Sequence, residues 1–153
     1  MMNVLVTGGA GYIGSHVVEE LQKNGFTPIV YDNLSTGHAA AVPEEVQLVE
    51  GDIHDVAFLK HIMAQFEIDA VIHFAASSLV GESMENPSKY YFNNVEGSLH
   101  LLEAMKGAGV DYIVFSSTAA VYGEPESVPI KEDSCLNPTN CLLYTSPSPR
   151  DGL

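Results

Sequence analysis

Apolar residues fall into short runs along this chain, and the runs alternate with segments in which apolar positions recur at helical spacing. The runs are rich in β-branched residues, which is typical of strands, and one is almost continuously apolar, as in a strand buried on both faces. The five predicted strands cover residues 3–7, 27–32, 46–52, 70–76 and 112–118. Their alternation with helices predicts an α/β fold, a Rossmann-type doubly wound parallel sheet in three α/β/α layers, truncated after the fifth or so strand.

Three segments between these strands predict helices. They cover residues 12–25, 55–66 and 87 to 107 or 109. In the first, Ile13, Val17 and Leu21, with Val18 as a further candidate, recur at helical spacing, and Gly25 serves as terminator. In the last, Pro87 stands near the start of one long helix, where a missing N–H is tolerated.

The stretch "TGGAGYIG" joins the first strand directly to the first helix and spaces Gly8, Gly11 and Gly14 three residues apart. In such a turn the first glycine permits the tight bend, the second lets a pyrophosphate approach the backbone, and the third lets the helix pack closely. Asp32 ends the second strand, 18 residues after Gly14. A carboxylate there accepts hydrogen bonds from the adenosine ribose and repels a 2′-phosphate, and residues 32–38 contain no Arg. The pattern favours NAD over NADP, with an N-capping role for Asp32 as the alternative.

Length and charge narrow the class of protein further. The 153 residues fit a single domain with a sizeable core. The 20 acidic residues against 6 basic ones argue against a nucleic-acid or anionic-membrane partner, because phosphate binding needs Lys and Arg. Cys135 and Cys141 lack metal-ligand spacing, so we expect no metal site. With no signal-like N-terminus and no run of 18 apolar residues, we expect a cytoplasmic protein without membrane association.

Several longer stretches together cover nearly all of residues 1–140. They are "VTGGAGYIGSH" (6–16), "YDNLSTGH" (31–38), "HFAASSLVGES" (73–83), "YYFNNVEGSLHLLEAM" (90–105) and "FSSTAAVYG" (115–123). The GxxGxxG spacing of the first stretch resembles the glycine motif of the extended short-chain dehydrogenase/reductase family. The first stretch is shared by many nucleotide-sugar enzymes, whereas "DNLSTGH" and "SLVGESMENP" are similar to the UDP-glucose 4-epimerase (UDP-galactose 4-epimerase) branch of that family.

This resemblance implies a set of NAD-binding residues. Pyrophosphate binding is implied for Gly8, Gly11, Tyr12, Ile13 and Gly14, ribose binding for Asp32 and Asn33, adenine binding for Asp52 and Ile53, and a place beside the cofactor for Phe74, Ala75 and Ala76. Asp52 is expected to accept a hydrogen bond from the exocyclic amine of adenine. Ser78 stands where relatives often carry Lys, and a cofactor contact is expected of it. Asn93 is expected to face the nicotinamide, with a solvated helical position as the alternative.

The resemblance also bears on candidate catalytic residues. The Thr118 hydroxyl is implied to hydrogen-bond the 4-oxygen of the substrate and to help move a proton; from the sequence alone it is an ordinary strand or turn residue. Tyr122 is expected to pack or to border the substrate. His16 and His73 lie in apolar segments, so we interpret them as core or turn histidines rather than metal ligands.

In the resembling enzymes, NAD takes a hydride from C4 of a UDP-hexose and returns it to the opposite face of a 4-keto intermediate, which interconverts UDP-glucose and UDP-galactose. A Tyr, whose pKa is lowered by a Lys four positions later, removes the hydroxyl proton. That pair normally follows the sequence found here at 137–140. Leu142 occupies the Tyr position, and Tyr144 is followed four positions later by Ser148. The predicted catalytic set therefore contains Thr118 but lacks the Tyr and Lys.

We therefore expect residues 1–140 to form an incomplete NAD-binding Rossmann domain and residues 141–153 to be a disordered tail, foreign or frameshifted. The chain would be an inactive N-terminal fragment of an isomerase of galactose metabolism whose full-length form is a homodimer. Another nucleotide-sugar epimerase or dehydratase, and a non-catalytic NAD-binding module, are the alternatives. The fifth strand is expected at an exposed sheet edge, making the product marginally stable or aggregation-prone.

Overall fold

The computed structural model describes residues 1–117, 119–123, 128–131, 133–135 and 137. Strands and helices alternate through this part of the chain. In chain order they are β1 (Asn3–Thr7), α1 (Tyr12–Lys23), β2 (Thr27–Asp32), β3 (Gln47–Glu50), α2 (Val56–Gln65), β4 (Ala70–His73), α3 (Val80–Glu85), α4 (Pro87–Tyr90), α5 (Gly97–Ala108) and β5 (Tyr112–Phe115). A π-helical segment, Tyr91–Glu96, stands between α4 and α5.

All five strands are parallel and follow the order β3-β2-β1-β4-β5 across the sheet. At the centre, Val6 of β1 lies opposite Val30 of β2 and Ile72 of β4. The strand order reverses between β1 and β4, and open α/β sheets bind ligands beyond the carboxyl ends of the strands at such a switch point. The predicted doubly wound parallel sheet is confirmed.

Successive residues of β1 point to opposite faces of the sheet, and each face has its own core. On one face Leu5 packs in a cluster with Leu59 of α2 and Leu101 of α5. On the other face Val6 packs in a cluster with Val18 of α1. Each of these side chains is completely buried, which contributes about 1.5–3 kcal/mol per residue. The three-layer arrangement is therefore confirmed as well.

The helix α1 buries only part of the predicted stripe, with Leu21 partly buried against the same core cluster as Val18. Gly14, Ser15 and Val18 face the sheet, whereas Ile13 is 60% exposed. The prediction was wrong for Ile13 because the helix packs against the turn after β1 through Gly14, which has no side chain to hold the backbones apart. Gly25 follows the end of α1 with φ +81°, as expected of a terminator.

The long helix predicted from Pro87 is interrupted. Pro87 does open α4, and Gly109, with φ +76°, follows α5, but residues 91–96 form the π-helical segment between them. Within that segment, Asn94 is buried; its Oδ1 accepts from Ser77 N at 2.9 Å and its Nδ2 donates to Ser77 O at 3.0 Å. This contact joins residues 17 apart, so local periodicity carries no sign of it. The short helix α3 was not predicted either.

Three predicted strands extend beyond the observed ones, since β3, β4 and β5 end at Glu50, His73 and Phe115. As predicted, β5 lies at a sheet edge with apolar side chains exposed: Tyr112 is 69% exposed and Val114 62%. The predicted tail, residues 141–153, lies outside the described residues, so the boundary after 140 stays a prediction.

The chain divides into two compact units. The first consists of Met1–Ala76 and Gly97–Ser116 and contains the whole sheet together with α1, α2 and α5. The second contains Ser77–Glu96, with α3 and α4, and the described residues from Ser117 onward. Among the helices described in either unit, none is long and apolar enough to cross a membrane.

Candidate functional site

The turn after β1 brings the end of that strand close to the end of β4. Gly8 adopts φ +75°, a left-handed conformation that favours glycine, and its N–H donates to Tyr31 O at 2.9 Å. A Cβ on Gly8 would lie 2.6 Å from Ala75 N. Any larger residue at this position would therefore be strained and would push the two strand ends apart.

The same turn sets the position of α1. A Cβ on Gly14 would overlap Gly8 O and would lie 2.8 Å from Gly9 Cα, so the helix packs on the turn backbone to backbone. This is the close packing that the sequence predicts for the third glycine. Gly11 is the N-cap residue of α1.

The N-terminus of α1 is available to an anion. The first backbone N–H groups of a helix have no partner within it, and here they belong to Tyr12, Ile13 and Gly14. Gly11 provides no side-chain cap, and the first turn contains no acidic residue. The side chains of Tyr12 and Ile13 are also exposed. The amides and the helix dipole together form an arrangement that suits a phosphate group.

Asp32, the last residue of β2, connects to this turn directly. Its carboxylate is buried, with Oδ2 accepting from Ala10 N at 3.0 Å and Oδ1 accepting from Leu34 N at 2.9 Å. A carboxylate has about four acceptor positions, so two remain for other donors. The structure therefore brings Asp32 and the glycine turn together.

A second acidic group lies next along the sheet edge, beyond β3. Asp52 Oδ2 accepts from Asn33 Nδ2 at 3.0 Å, while Oδ1 lies 3.0 Å from His54 N and 2.6 Å from His54 Nδ1. Burial acts to raise the pKa of Asp52, but these hydrogen bonds outweigh it and hold that pKa below its usual range. Ile53 is only 5% exposed and packs in the core, which leaves little of its surface to a ligand.

The residues after β4 begin beside β1. Phe74 N donates to Thr7 O at 2.8 Å, and Phe74, Ala75 and Ala76 follow at the carboxyl edge. His73 Nδ1 lies 2.6 Å from Thr7 Oγ1 and its Nε2 lies 3.2 Å from Ser98 Oγ. Burial lowers the pKa of His73 to about 4, so the ring is neutral near pH 7.

The two histidines interpreted as core or turn residues differ. His73 is a core histidine, as predicted. His16 is exposed on α1 and its Nδ1 lies 2.7 Å from Tyr12 O, so the prediction of a core or turn position was wrong for it. On a helix, neighbours in sequence lie on different faces. The buried Val18 therefore does not imply that His16 is buried too. Among the described residues, no group of three or more His, Cys, Asp or Glu side chains could hold a metal ion.

Two residues named from the sequence, Ser78 and Asn93, belong to the second unit. Ser78 is exposed, and Asn93 Nδ2 donates to Asn94 Oδ1 at 2.9 Å. Their cofactor contacts stay predictions. Thr118 lies outside the described residues, and its role stays a prediction too.

Sequence reasoning missed one residue of the site, His54. Its pairing with Asp52 joins two positions only two residues apart, a local pattern in which an aspartate accepts from the backbone two residues on. The backbone contact could therefore have been predicted from the sequence. The position of the imidazole ring depends on packing against α5 and could not.

Comparison with known proteins agrees with this geometry. The family model described as "NAD dependent epimerase/dehydratase family" matches residues 4–144. The chain is 55% identical over 139 residues to a UDP-glucose 4-epimerase of Lactobacillus helveticus, an alignment that covers 91% of this chain and 42% of the relative. The chain thus spans less than half the length of that relative.

Solved structures give the same result. The UDP-glucose 4-epimerase from Brucella ovis, in complex with NAD, has a TM-score of 0.89 at 50% identity, with 95% of this chain and 44% of that chain covered. The enzyme from Bifidobacterium longum, in complex with NAD+ and UDP, has a TM-score of 0.88 at 38% identity, with 95% and 46% covered. With the match over residues 4–144, the chain belongs to the NAD dependent epimerase/dehydratase family.

Proposed function

We propose that this chain is the NAD-binding part of a UDP-glucose 4-epimerase, an enzyme that interconverts UDP-glucose and UDP-galactose. The observation that carries the proposal is the junction of the Gly8 turn, the uncapped N-terminus of α1 and the buried carboxylate of Asp32. The relatives with 38–55% identity that are named UDP-glucose 4-epimerases support the choice of reaction.

The residues present suit NAD at three points along the sheet edge. The first-turn amides of α1 and the space left by Gly11 suit the pyrophosphate. Asp32 has acceptor positions left for the ribose hydroxyls, and its charge would repel the 2′-phosphate of NADP. Asp52, one strand further, offers an acceptor to the amine of adenine.

Bound NAD would supply the capacity to accept a hydride from the sugar and to return it. This chain's own residues would hold and orient the dinucleotide, and Thr118 would hydrogen-bond the 4-oxygen of the sugar. Leu142 stands where the family's Tyr is expected. We therefore propose that the chain binds NAD but does not epimerise UDP-sugars alone. A UDP-hexose substrate, a homodimer and a cytoplasmic location are proposed for the full-length enzyme.

A calorimetric titration of the chain with NAD and with NADP tests the cofactor assignment. We expect saturable NAD binding and an NADP affinity at least about tenfold lower, the size expected of one charged contact. Asp32→Asn should narrow that preference, whereas Asp111→Asn, at an exposed acidic position after α5, should leave it unchanged. Equal binding of the two dinucleotides, or none of NAD, would contradict the proposal.

The reaction is tested on the full-length enzyme by conversion of UDP-galactose to UDP-glucose without an added hydride acceptor. Turnover of UDP-galactose supports the substrate class. Turnover of UDP-glucuronate without turnover of UDP-galactose would instead identify another nucleotide-sugar epimerase. Epimerisation by the 153-residue chain itself would contradict its proposed inactivity.

A further inference from the structure

The carboxylate of Asp52 is hydrogen-bonded through both oxygens although it lies at the protein surface. Its side chain is 49% exposed, yet it accepts from the backbone N–H of His54 and lies 2.6 Å from His54 Nδ1. The other oxygen accepts from Asn33 Nδ2 at 3.0 Å. With one oxygen bound on each side, the plane of the carboxylate is set before any ligand arrives.

The imidazole of His54 is in turn held by α5. Its side chain is only 19% exposed, and the ring meets His100 edge to face, with centroids 5.6 Å apart and an interplanar angle of 83°. A Cβ at Gly97 would lie 3.4 Å from His54 Cε1, so the start of α5 lies against the ring. A chain of contacts therefore runs from α5 through His54 to Asp52 and Asn33.

The order of the sites along the sheet edge indicates what this carboxylate would bind. The glycine turn follows β1, Asp32 ends β2, and Asp52 follows β3, which is the next strand outward. Gly51 N donates to Asp32 O at 3.0 Å, so the two acidic positions are neighbours. A dinucleotide with its pyrophosphate at β1 and its ribose at β2 would place its base beside β3, and adenine presents an amine donor there.

We propose that His54 is a positioning residue that orients the Asp52 carboxylate to accept a hydrogen bond from the amine of adenine; this inference rests on the proposed NAD site. His54 itself need not touch the cofactor. Its effect on binding should therefore depend on that amine.

The test compares NAD with nicotinamide hypoxanthine dinucleotide, which has a carbonyl oxygen in place of the adenine amine. The wild-type chain should bind NAD about tenfold or more tightly than the analogue, as expected for a hydrogen bond to a charged acceptor. His54→Phe keeps the ring packing but removes the side-chain donor to Asp52. It should weaken NAD binding about five- to tenfold while leaving binding of the analogue unaffected.

His54→Asn, which can place an amide donor near the Nδ1 position, should restore most of the preference for NAD over the analogue. His61→Phe, at an exposed histidine of α2, serves as the control and should change neither affinity.

Equal weakening of both dinucleotides by His54→Phe would show a general structural effect and overturn the positioning role. An unchanged preference of His54→Phe for NAD over the analogue would also overturn that role. If His54→Phe does not fold, His54→Leu replaces it as the variant without a donor. A wild-type chain that binds neither dinucleotide would overturn the NAD site itself, whereas loss of the His54 effect alone would leave that site standing.

Discussion

His73 joins β1, β4 and α5 through hydrogen bonds on both of its ring nitrogens, and its ring lies edge-on against Phe115 of β5 with centroids 5.0 Å apart. A neutral imidazole donates from one nitrogen and accepts at the other, which the hydroxyls of Thr7 and Ser98 can match. An imidazolium would need acceptors at both positions in a buried environment. Burial is accordingly what lowers the pKa of His73 to about 4.

This residue predicts acid sensitivity in a defined pH window. The pKa of His73 falls from 6.5 in the unfolded chain to about 4 in the folded one, so between these values only the unfolded state binds the proton. The contribution of His73 to the free energy of unfolding is therefore present above about pH 6.5. It is lost as the pH falls towards 4, by about 2 kcal/mol between pH 7.5 and 5. Urea unfolding at both pH values measures this loss.

The variant His73→Gln should be less stable at pH 7.5 but should show a much flatter dependence on pH. His61→Gln, at an exposed position, should keep the wild-type dependence. The pKa values of Asp52 and Glu82 are lowered from 3.8 and 4.5, so their effects on stability fall mainly below this window. An unchanged slope in His73→Gln would show that another group carries the pH dependence.

Among the elements, β5 differs from the other strands in its surroundings. Among the strands that the structure describes, it pairs only with β4, and it exposes Tyr112 and Val114, whereas β1 at the centre is almost fully buried. An unpaired strand edge with apolar side chains is a template for pairing with another chain. We therefore expect self-association through this edge.

A lysine on the edge should suppress that association. Val114→Lys places a charge where a second strand would pair and should reduce light scattering and the high-molecular-weight fraction in size-exclusion chromatography. Val80→Lys makes the same change in net charge at an exposed valine of α3 and should have little effect. Equal suppression by both variants would show that charge alone, and not the strand edge, controls solubility.

The elements also show which features can be predicted from sequence patterns. The approximate bounds of the five strands along the chain follow from runs of apolar residues. Their parallel arrangement follows from the alternation of strands with helices, which is typical of this class of fold. The glycine turn and Asp32 were equally accessible, since their spacing reflects a local backbone requirement. The features that sequence patterns missed depend on contacts that apolar periodicity does not encode. Asn94 holds Ser77 from inside a π-helical segment, and Ile13 is exposed because Gly14 takes its place against the turn.

At the scale of the whole molecule, the dominant property is its charge. The formal net charge is −14, and three of the six basic residues, Lys23, Lys60 and Lys89, already form ion pairs with glutamates. The candidate site offers a pyrophosphate the backbone amides of α1, and acidic groups stand at Asp32 and Asp52. An anion would thus approach against the long-range field of the protein and would be held by short-range dipoles.

This distribution of charge predicts an unusual salt dependence of NAD binding. Sites built from Lys and Arg lose affinity steeply with added salt, because salt screens their attraction for phosphate. Here salt screens mainly repulsion, so the dissociation constant for NAD should fall or stay within about twofold between about 0.05 and 0.5 M KCl, where the Debye length shrinks severalfold. NADP, with an extra phosphate, should gain more affinity than NAD over the same range. Calorimetric titrations at several salt concentrations measure both trends. A tenfold weakening of NAD binding would mean that a cationic side chain, and not the N-terminus of α1, holds the pyrophosphate.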